Sequence, residues 1–173
     1  MARRLNLQQY QENILSRLKA LEYAGGAVTT SRLGVQVGED DWLISLGDVG
    51  EVLTLPEIHA VPLTRAWFMG MANVRGNLYA VADLSAFFGG RPARLGQESR
   101  LLLAGGRFGV NAAFVIDRLY GLRNVSEMKL LDAPKGEEPG WLAHSYRDAQ
   151  GRDWRELDVS ALINSTSFMR VAA

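Results

Sequence analysis

Residues 67–89 read Trp67-Phe68-Met69-Gly70-Met71-Ala72-Asn73-Val74-Arg75-Gly76-Asn77-Leu78-Tyr79-Ala80-Val81-Ala82-Asp83-Leu84-Ser85-Ala86-Phe87-Phe88-Gly89. Two apolar runs, 67–74 and 78–84, flank a short polar break. Each run has the length of a strand buried on at least one face. The break Arg75-Gly76-Asn77 suits a tight reversal, because Gly76 and Asn77 take positive φ at low cost. The stretch predicts a β-hairpin with an arginine at its tip.

Upstream of this hairpin the period is also two. Leu33, Val35 and Val37 alternate with Arg32, Gly34 and Gln36; Gly38-Glu39-Asp40-Asp41 makes a turn, and Trp42, Ile44 and Leu46 resume the alternation. Asp48 and Glu51 have capping-box spacing, which predicts one helical turn over 49–52. Pro56 and Pro62 mark 53–65 as an irregular connection. Downstream, the Gly-, Pro- and Arg-rich residues 89–98 read as an exposed loop and a lobe boundary. Runs 100–104 and 108–116 form a further hairpin, 119–125 a strand, and 141–146 with 153–157 a last hairpin around Asp148-Ala149-Gln150-Gly151. Asp158 caps a terminal helix running to Ile163.

The first residues differ. Leu7, Tyr10, Ile14, Leu18 and Leu21 recur at spacings of three and four, so 7–22 reads as an amphipathic helix stopped by Gly25-Gly26. Its apolar stripe either packs on the body or meets a partner. The whole chain therefore reads as all-β, with nine or ten short strands joined mostly as hairpins and a helix at each end. Such strands suggest small barrels or a sandwich, and the absence of strand–helix alternation argues against a parallel α/β sheet.

Composition narrows the chemistry. The 173 residues carry 19 Lys plus Arg against 19 Asp plus Glu, and no cysteine. Zero net charge argues against a general nucleic-acid binder, which relies on excess positive charge. Without cysteine there are no disulfides, thiolate metal sites or cysteine nucleophiles. No charged-then-apolar leader opens the sequence, and no apolar run approaches the roughly 20 residues needed to span a bilayer. The imidazoles, His59 and His144, lie far apart in sequence. No Gly-x-Ser-x-Gly elbow, Walker loop or His-Glu-x-x-His is present. Gly105-Gly106-Arg107-Phe108-Gly109 links two strands, so it is a turn and not a phosphate cradle. Asp83 and Asp117 each follow an apolar strand. A small hydrolase with a carboxylate site there is one alternative, although strand-end aspartates commonly cap loops. An OB-like barrel binding single-stranded nucleic acid through basic and aromatic residues is another. No catalytic residue, metal ligand or cofactor is assigned. Arg75 has two readings: it pairs with a nearby carboxylate and fixes the hairpin, or it recognises a partner.

From about residue 30 to about 163 the order of features resembles the CheW-like chemotaxis adaptor domain. The run Gly70-Met71-Ala72-Asn73-Val74-Arg75-Gly76 is similar to the family's central motif. Val49-Gly50-Glu51-Val52 resembles its Val-x-Glu-Ile segment, Leu78–Leu84 its next strand ending in Asp-Leu, and Val115-Ile116-Asp117 with Leu119 its second-lobe strand. The resemblance implies two SH3-like five-stranded β-barrels packed together, with an N-terminal helix and a short C-terminal helix. Residues 1–27 would be helix and linker, 28–165 the CheW-like domain (first barrel mainly 30–88, second mainly 99–158) and 166–173 a tail. It further implies a cytoplasmic, non-enzymatic scaffold recruited to membrane-bound receptor arrays. Its partners would be a chemotaxis-type histidine kinase and the cytoplasmic tip of a methyl-accepting chemoreceptor, with no nucleic acid and no membrane insertion. Arg75, Val49, Glu51, Asn73 and Gly76 would lie on partner-facing surface. The long first helix, Glu51-Val52-Leu53 and Val74 resemble members that serve type IV pilus (twitching) motility.

Overall fold

The computed structural model describes residues 30–131 and 139–173; the helix expected over 7–22 lies outside the described residues. Two sheets carry the fold. Sheet 1 contains β1 (Ser31–Val37), β2 (Asp40–Ser45), β9 (Arg118–Asn124), β10 (Lys129–Leu130), β11 (Leu142–Arg147) and β12 (Asp153–Leu157), in the order β10-β11-β12-β2-β1-β9. Sheet 2 contains β3 (Val49–Thr54), β4 (Ile58–His59), β5 (Phe68–Val74), β6 (Asn77–Asp83), β7 (Arg100–Ala104) and β8 (Ala112–Ile116), in the order β3-β7-β8-β6-β5-β4. Neighbours pair antiparallel except β12 with β2 and β6 with β8, which run parallel.

The closed five-stranded barrels expected from the sequence do not form. Both sheets are six-stranded and open, since β9 and β10 are not paired with each other, nor are β3 and β4. The linkers explain this. Only Leu55-Pro56-Glu57 separates β3 from β4, and a 3-10 turn over Val125–Glu127 lies between β9 and β10. Such short links hold the two edges of each sheet near one another and force it to curl. Yet β4 and β10 are each two residues long, too short to complete a ladder. Nor do the strands sort by halves of the chain: β7 and β8, placed by sequence in a second barrel, join β3 to β6, whereas β1 and β2 join the last four strands.

The helical turn expected over 49–52 is also absent. Those residues start β3, and the helical turn sits just before, at Leu46–Asp48. Here tertiary pairing overrides the local capping signal: Val49 and Val52 are buried and pair with Ala104 and Leu102. The short helices are α1 (Leu84–Phe87), α2 (Val159–Asn164) and α3 (Thr166–Met169). They are capped by Asp83, Asp158 and Ser165, whose side chains accept from the N–H of Ala86, Ala161 and Phe168.

The main core lies between the sheets. Alternate residues of β1 and β2 (Leu33, Val35, Val37, Trp42, Ile44) meet Leu102, Phe114 and Ile116 of β7 and β8, and Leu162 of α2 closes one side. A smaller core, built on Val81, Leu101, Leu103 and Val115, fills the other face of sheet 2. An aromatic block continues the main core outward. Trp67 stacks on Phe168 at 5.1 Å, and Phe88 stacks on Trp141 at 4.3 Å.

Candidate functional site

The central motif is built by backbone constraints before it is built by side chains. Asn73 Oδ1 accepts the N–H of Gly76 at 2.8 Å, so the chain turns in one step and Val74 pairs with Asn77. Arg75 and Gly76 hold φ of 51° and 87°, the primed turn that matches strand twist. The reversal therefore uses Arg75 and Gly76, one residue earlier than the Gly76-Asn77 pair favoured by propensity. Asn77 instead opens β6.

A left-handed arginine is strained, and its side chain is anchored. Arg75 Nη1 and Nη2 donate to Glu51 Oε2 and Oε1, both at 2.7 Å. The geometry is bidentate, the strongest form of this pair. Its place is unusual: in hydrogen-bonded order β7, β8 and β6 stand between β3 and β5, yet the curl brings the hairpin tip onto β3. Gly50 makes this possible on the β3 side. The register shifts between Val49 and Glu51, and a Cβ at Gly50 would stand 2.8 Å from the Ala104 carbonyl oxygen. Only glycine fits the bulge, and the bulge re-aims Glu51.

Of the residues singled out by sequence, the structure brings Arg75 to Glu51 and Asn73 to Gly76. The guanidinium side chain is 69% exposed and that of Glu51 27%. Val49 is different: at 2% exposure its side chain belongs to the core between the sheets.

Next to Val49 the sequence reasoning missed a second ion pair. Asp48, read only as a cap, is buried and accepts a hydrogen bond from Arg107. Burial raises the Asp48 pKa; Arg107 pulls the other way without cancelling it. A carboxyl raised in the folded state adds stability below its unfolded pKa and loses it as pH rises through the folded value. At neutral pH the ionised Asp48 therefore weighs against folding. Asp48→Asn keeps an oxygen for Arg107, and its expected effect is a gain of up to about 1 kcal/mol at neutral pH. Parent and variant should converge below the ordinary aspartate range. Urea denaturation at both pH values checks this; a less stable variant at neutral pH would mean that the Arg107 pair outweighs burial.

The remaining polar residues do structural work. Asp83 spends its second oxygen on the N–H of Ala93 at 2.7 Å, and Asp117 accepts the N–H of Gly38 at 2.6 Å. With separate backbone donors they form no acid–base pair. Buried Glu156 accepts from Arg32 Nε at 2.6 Å, with His144 Nδ1 at 2.9 Å. Burial pushes the Glu156 pKa up, but the Arg32 and His144 hydrogen bonds outweigh it and hold the carboxyl low. Among the described residues no group of three or more His, Asp or Glu is placed to hold a metal ion, and no helix is long and apolar enough to cross a membrane.

Three comparisons with known proteins each give a match. A family model described as the CheW-like domain matches residues 32–167. Protein PilI of Pseudomonas aeruginosa is 32% identical over 94 residues, which cover 54% of this chain and 52% of that protein. The match thus spans about half the length of this curated relative. The crystal structure of the scaffolding protein TtCheW from Thermoanaerobacter tengcongensis aligns with a TM-score of 0.66 at 17% identity, covering 79% of this chain and 94% of that one. At that identity the likeness is one of fold.

Proposed function

We propose, from the premise that this chain belongs to the CheW-like domain family, that it is a scaffold joining a chemoreceptor to a histidine kinase. As a CheW-like domain it is a non-enzymatic module, and its output is the geometry it imposes on its partners. In this reading it works in the cytoplasm at receptor arrays, in the control of type IV pilus motility. The partial-length similarity to PilI supports the pilus assignment.

The observation that carries the reading is the exposed Arg75–Glu51 pair on the hairpin tip. An arginine held in a strained backbone conformation has fixed position and direction, which is what recognition of a planar acceptor requires. Asn73 and Gly76 set the turn that presents it, and Val49 anchors the strand beneath Glu51. The partner-facing surface is thus Arg75, Glu51 and the turn residues, with Val49 as support.

Arg75→Glu tests this. The bidentate pair is stronger than an ordinary surface pair but lies at an exposed hairpin tip, so its loss should cost about 1–2 kcal/mol of folding and leave the variant folded, as its melting curve checks. Binding to the kinase regulatory domain or the receptor tip should weaken by about 2 kcal/mol, some thirtyfold, because a donor is replaced by a repelling charge. Arg94→Glu, an equal charge change in the exposed 89–98 loop, serves as comparison. Titration of each variant against both partners checks the expectation. Unchanged binding to both removes the recognition role from Arg75.

A further inference from the structure

A groove of about 530 Å³ opens where the aromatic block reaches the surface, walled by Trp67, Phe87 and Trp141 and rimmed by Arg65, Ser167 and Arg170. Its walls are packed against one another and the core: Trp67 meets Phe87 edge-on at 5.1 Å and stacks on Phe168 at 5.1 Å. Its volume lies in the range of ligand sites. The rim is positive: among the described residues neither Arg65 nor Arg170 has a carboxylate within ion-pair distance, and both are exposed. Arg65 Nε donates to the backbone carbonyl of Arg170 at 2.8 Å, which ties the Arg65 side chain to the chain segment that carries Arg170.

Beside the groove is a second anomaly. Leu63 is 87% exposed and holds φ of 59°, a conformation that costs a leucine energy. The turn is held by the Ala173 N–H donating to the Leu63 carbonyl, by the Arg65 N–H donating to the Val171 carbonyl and by the Thr64–Ala172 bridge. On the tail side of these bonds Met169 is 65% exposed. Leu63 and Met169 thus expose large apolar side chains on the two segments that these bonds tie together, the segments that also carry Arg65 and Arg170.

We propose that this groove docks an acidic peptide segment of a protein partner, one large apolar side chain entering between Trp67 and Trp141 while flanking carboxylates pair with Arg65 and Arg170. Charge complementarity selects the occupant. Planar guanidinium groups favour carboxylates, and the aromatic walls favour a ring or branched aliphatic group. A nucleic-acid strand would need a basic track beyond the two rim cations. The surface uses none of Val49, Glu51, Asn73, Arg75 or Gly76, so it is a contact additional to the hairpin tip.

The test uses the full chain and a fluorescein-labelled probe peptide, acetyl-Glu-Asp-Phe-Leu-Asp-Glu-amide, followed by anisotropy. A second probe replaces every acid by lysine, and a third replaces Phe and Leu by alanine. Saturable binding is expected for the first probe alone, weakening with salt. It should fall at least about tenfold in Ser167→Trp, which fills the groove from an exposed position, and in Arg65→Glu with Arg170→Glu. Melting curves verify that each variant is folded; Ser167→Trp leaves the Arg65–Arg170 bond untouched. No saturable binding, equal binding of the lysine or alanine probe, binding unchanged in the folded Ser167→Trp variant, or preference for an oligothymidine strand would each overturn the proposal.

Discussion

Gly70→Ala is expected to cost about 4 kcal/mol or more of unfolding free energy, at the severe end for a one-methyl change. Gly70 lies in the bulge of β5, where the register with β6 shifts between Phe68 and Gly70, and its φ is 133°. A Cβ there would stand 2.1 Å from the His59 carbonyl oxygen, 2.6 Å from its carbonyl carbon and 2.9 Å from the Ala60 Cα. All three are backbone atoms, so no rotamer change relieves the clash. The chain must move β4 away from β5 or distort the bulge, and either loses the pairing of Ile58 with Ala72 and His59 with Met71. Gly96→Ala is the comparison, since nothing lies within 4 Å of a Cβ there; it should stay within about 0.5 kcal/mol of the parent. Urea denaturation of the three proteins decides. If the two variants match, the bulge tolerates a side chain and its geometry is not what glycine supplies.

Trp154→Ala should cost about 3–5 kcal/mol, as expected for a large side chain lost from a filled space. Trp154 is 1% exposed but belongs to neither hydrophobic core. It lies against Gly34 of β1, close enough that a Cβ there would come within 3.1 Å of the ring. Tyr120 meets it edge-on at 5.7 Å, and the guanidinium groups of Arg123 and Arg152 stand 5.4 and 5.8 Å from the ring. Its Nε1–H donates to Asp148 Oδ2 at 2.9 Å, and that bond is the main reason the Asp148 pKa is lowered. Truncation empties the space the ring fills beside Gly34 and removes a donor from Asp148, which also organises the turn by accepting the N–H of Gln150 and of Arg152. Trp154→Phe refills most of the volume, so its loss should be about 1–2 kcal/mol, chiefly the missing N–H. Denaturant titration separates the two. A loss below about 1 kcal/mol in Trp154→Ala would mean that the ring does not carry this side of the sheet.

The hairpins were legible in sequence because each is local and period-two. Leu33 to Val37 with Trp42 to Ile44, and 68–74 with 77–83, appear where alternation and turn residues place them. Their assembly was not legible. Nothing local announces that Trp42 pairs in parallel with Arg155, or that Ala80 pairs with Ala112. The curl was equally hidden, for it comes from linkers and short edges and not from a pattern of side chains. Of the candidate site, the residue types were visible and the bonds were not. Arg75 and Glu51 stand 24 positions apart, and their bidentate pair exists only because sheet 2 curls. Arg75 was placed beside the reversal, but propensity gave the left-handed turn to Gly76 and Asn77. Asp48 looked like a cap because its burial depends on pairings remote in sequence. Trp67 and Trp141 lie at the starts of runs read as strands, and Phe87 lies in the quoted central stretch. Three-dimensional packing alone leaves these rings as groove walls.

The division of strands between the sheets also sets the order in which the molecule can be made. Sheet 2 is drawn from one unbroken length, residues 49–116, so it is complete as soon as that length has left the ribosome. Sheet 1 is not. Its first hairpin emerges early, but β2 waits for β12, translated more than a hundred residues later, a delay of roughly 5–20 s at ordinary synthesis rates. Throughout that interval one flank of β2 offers unpaired N–H and C=O groups, with Trp42 and Ile44 lacking much of their final cover, the template that nascent chains use to stick to each other. The long-range parallel pairing is an entropically slow step as well. Birth of this chain is therefore two-staged, a middle sheet complete in its own strands followed by an end-to-end closure, and that closing step is where a chaperone would have work to do.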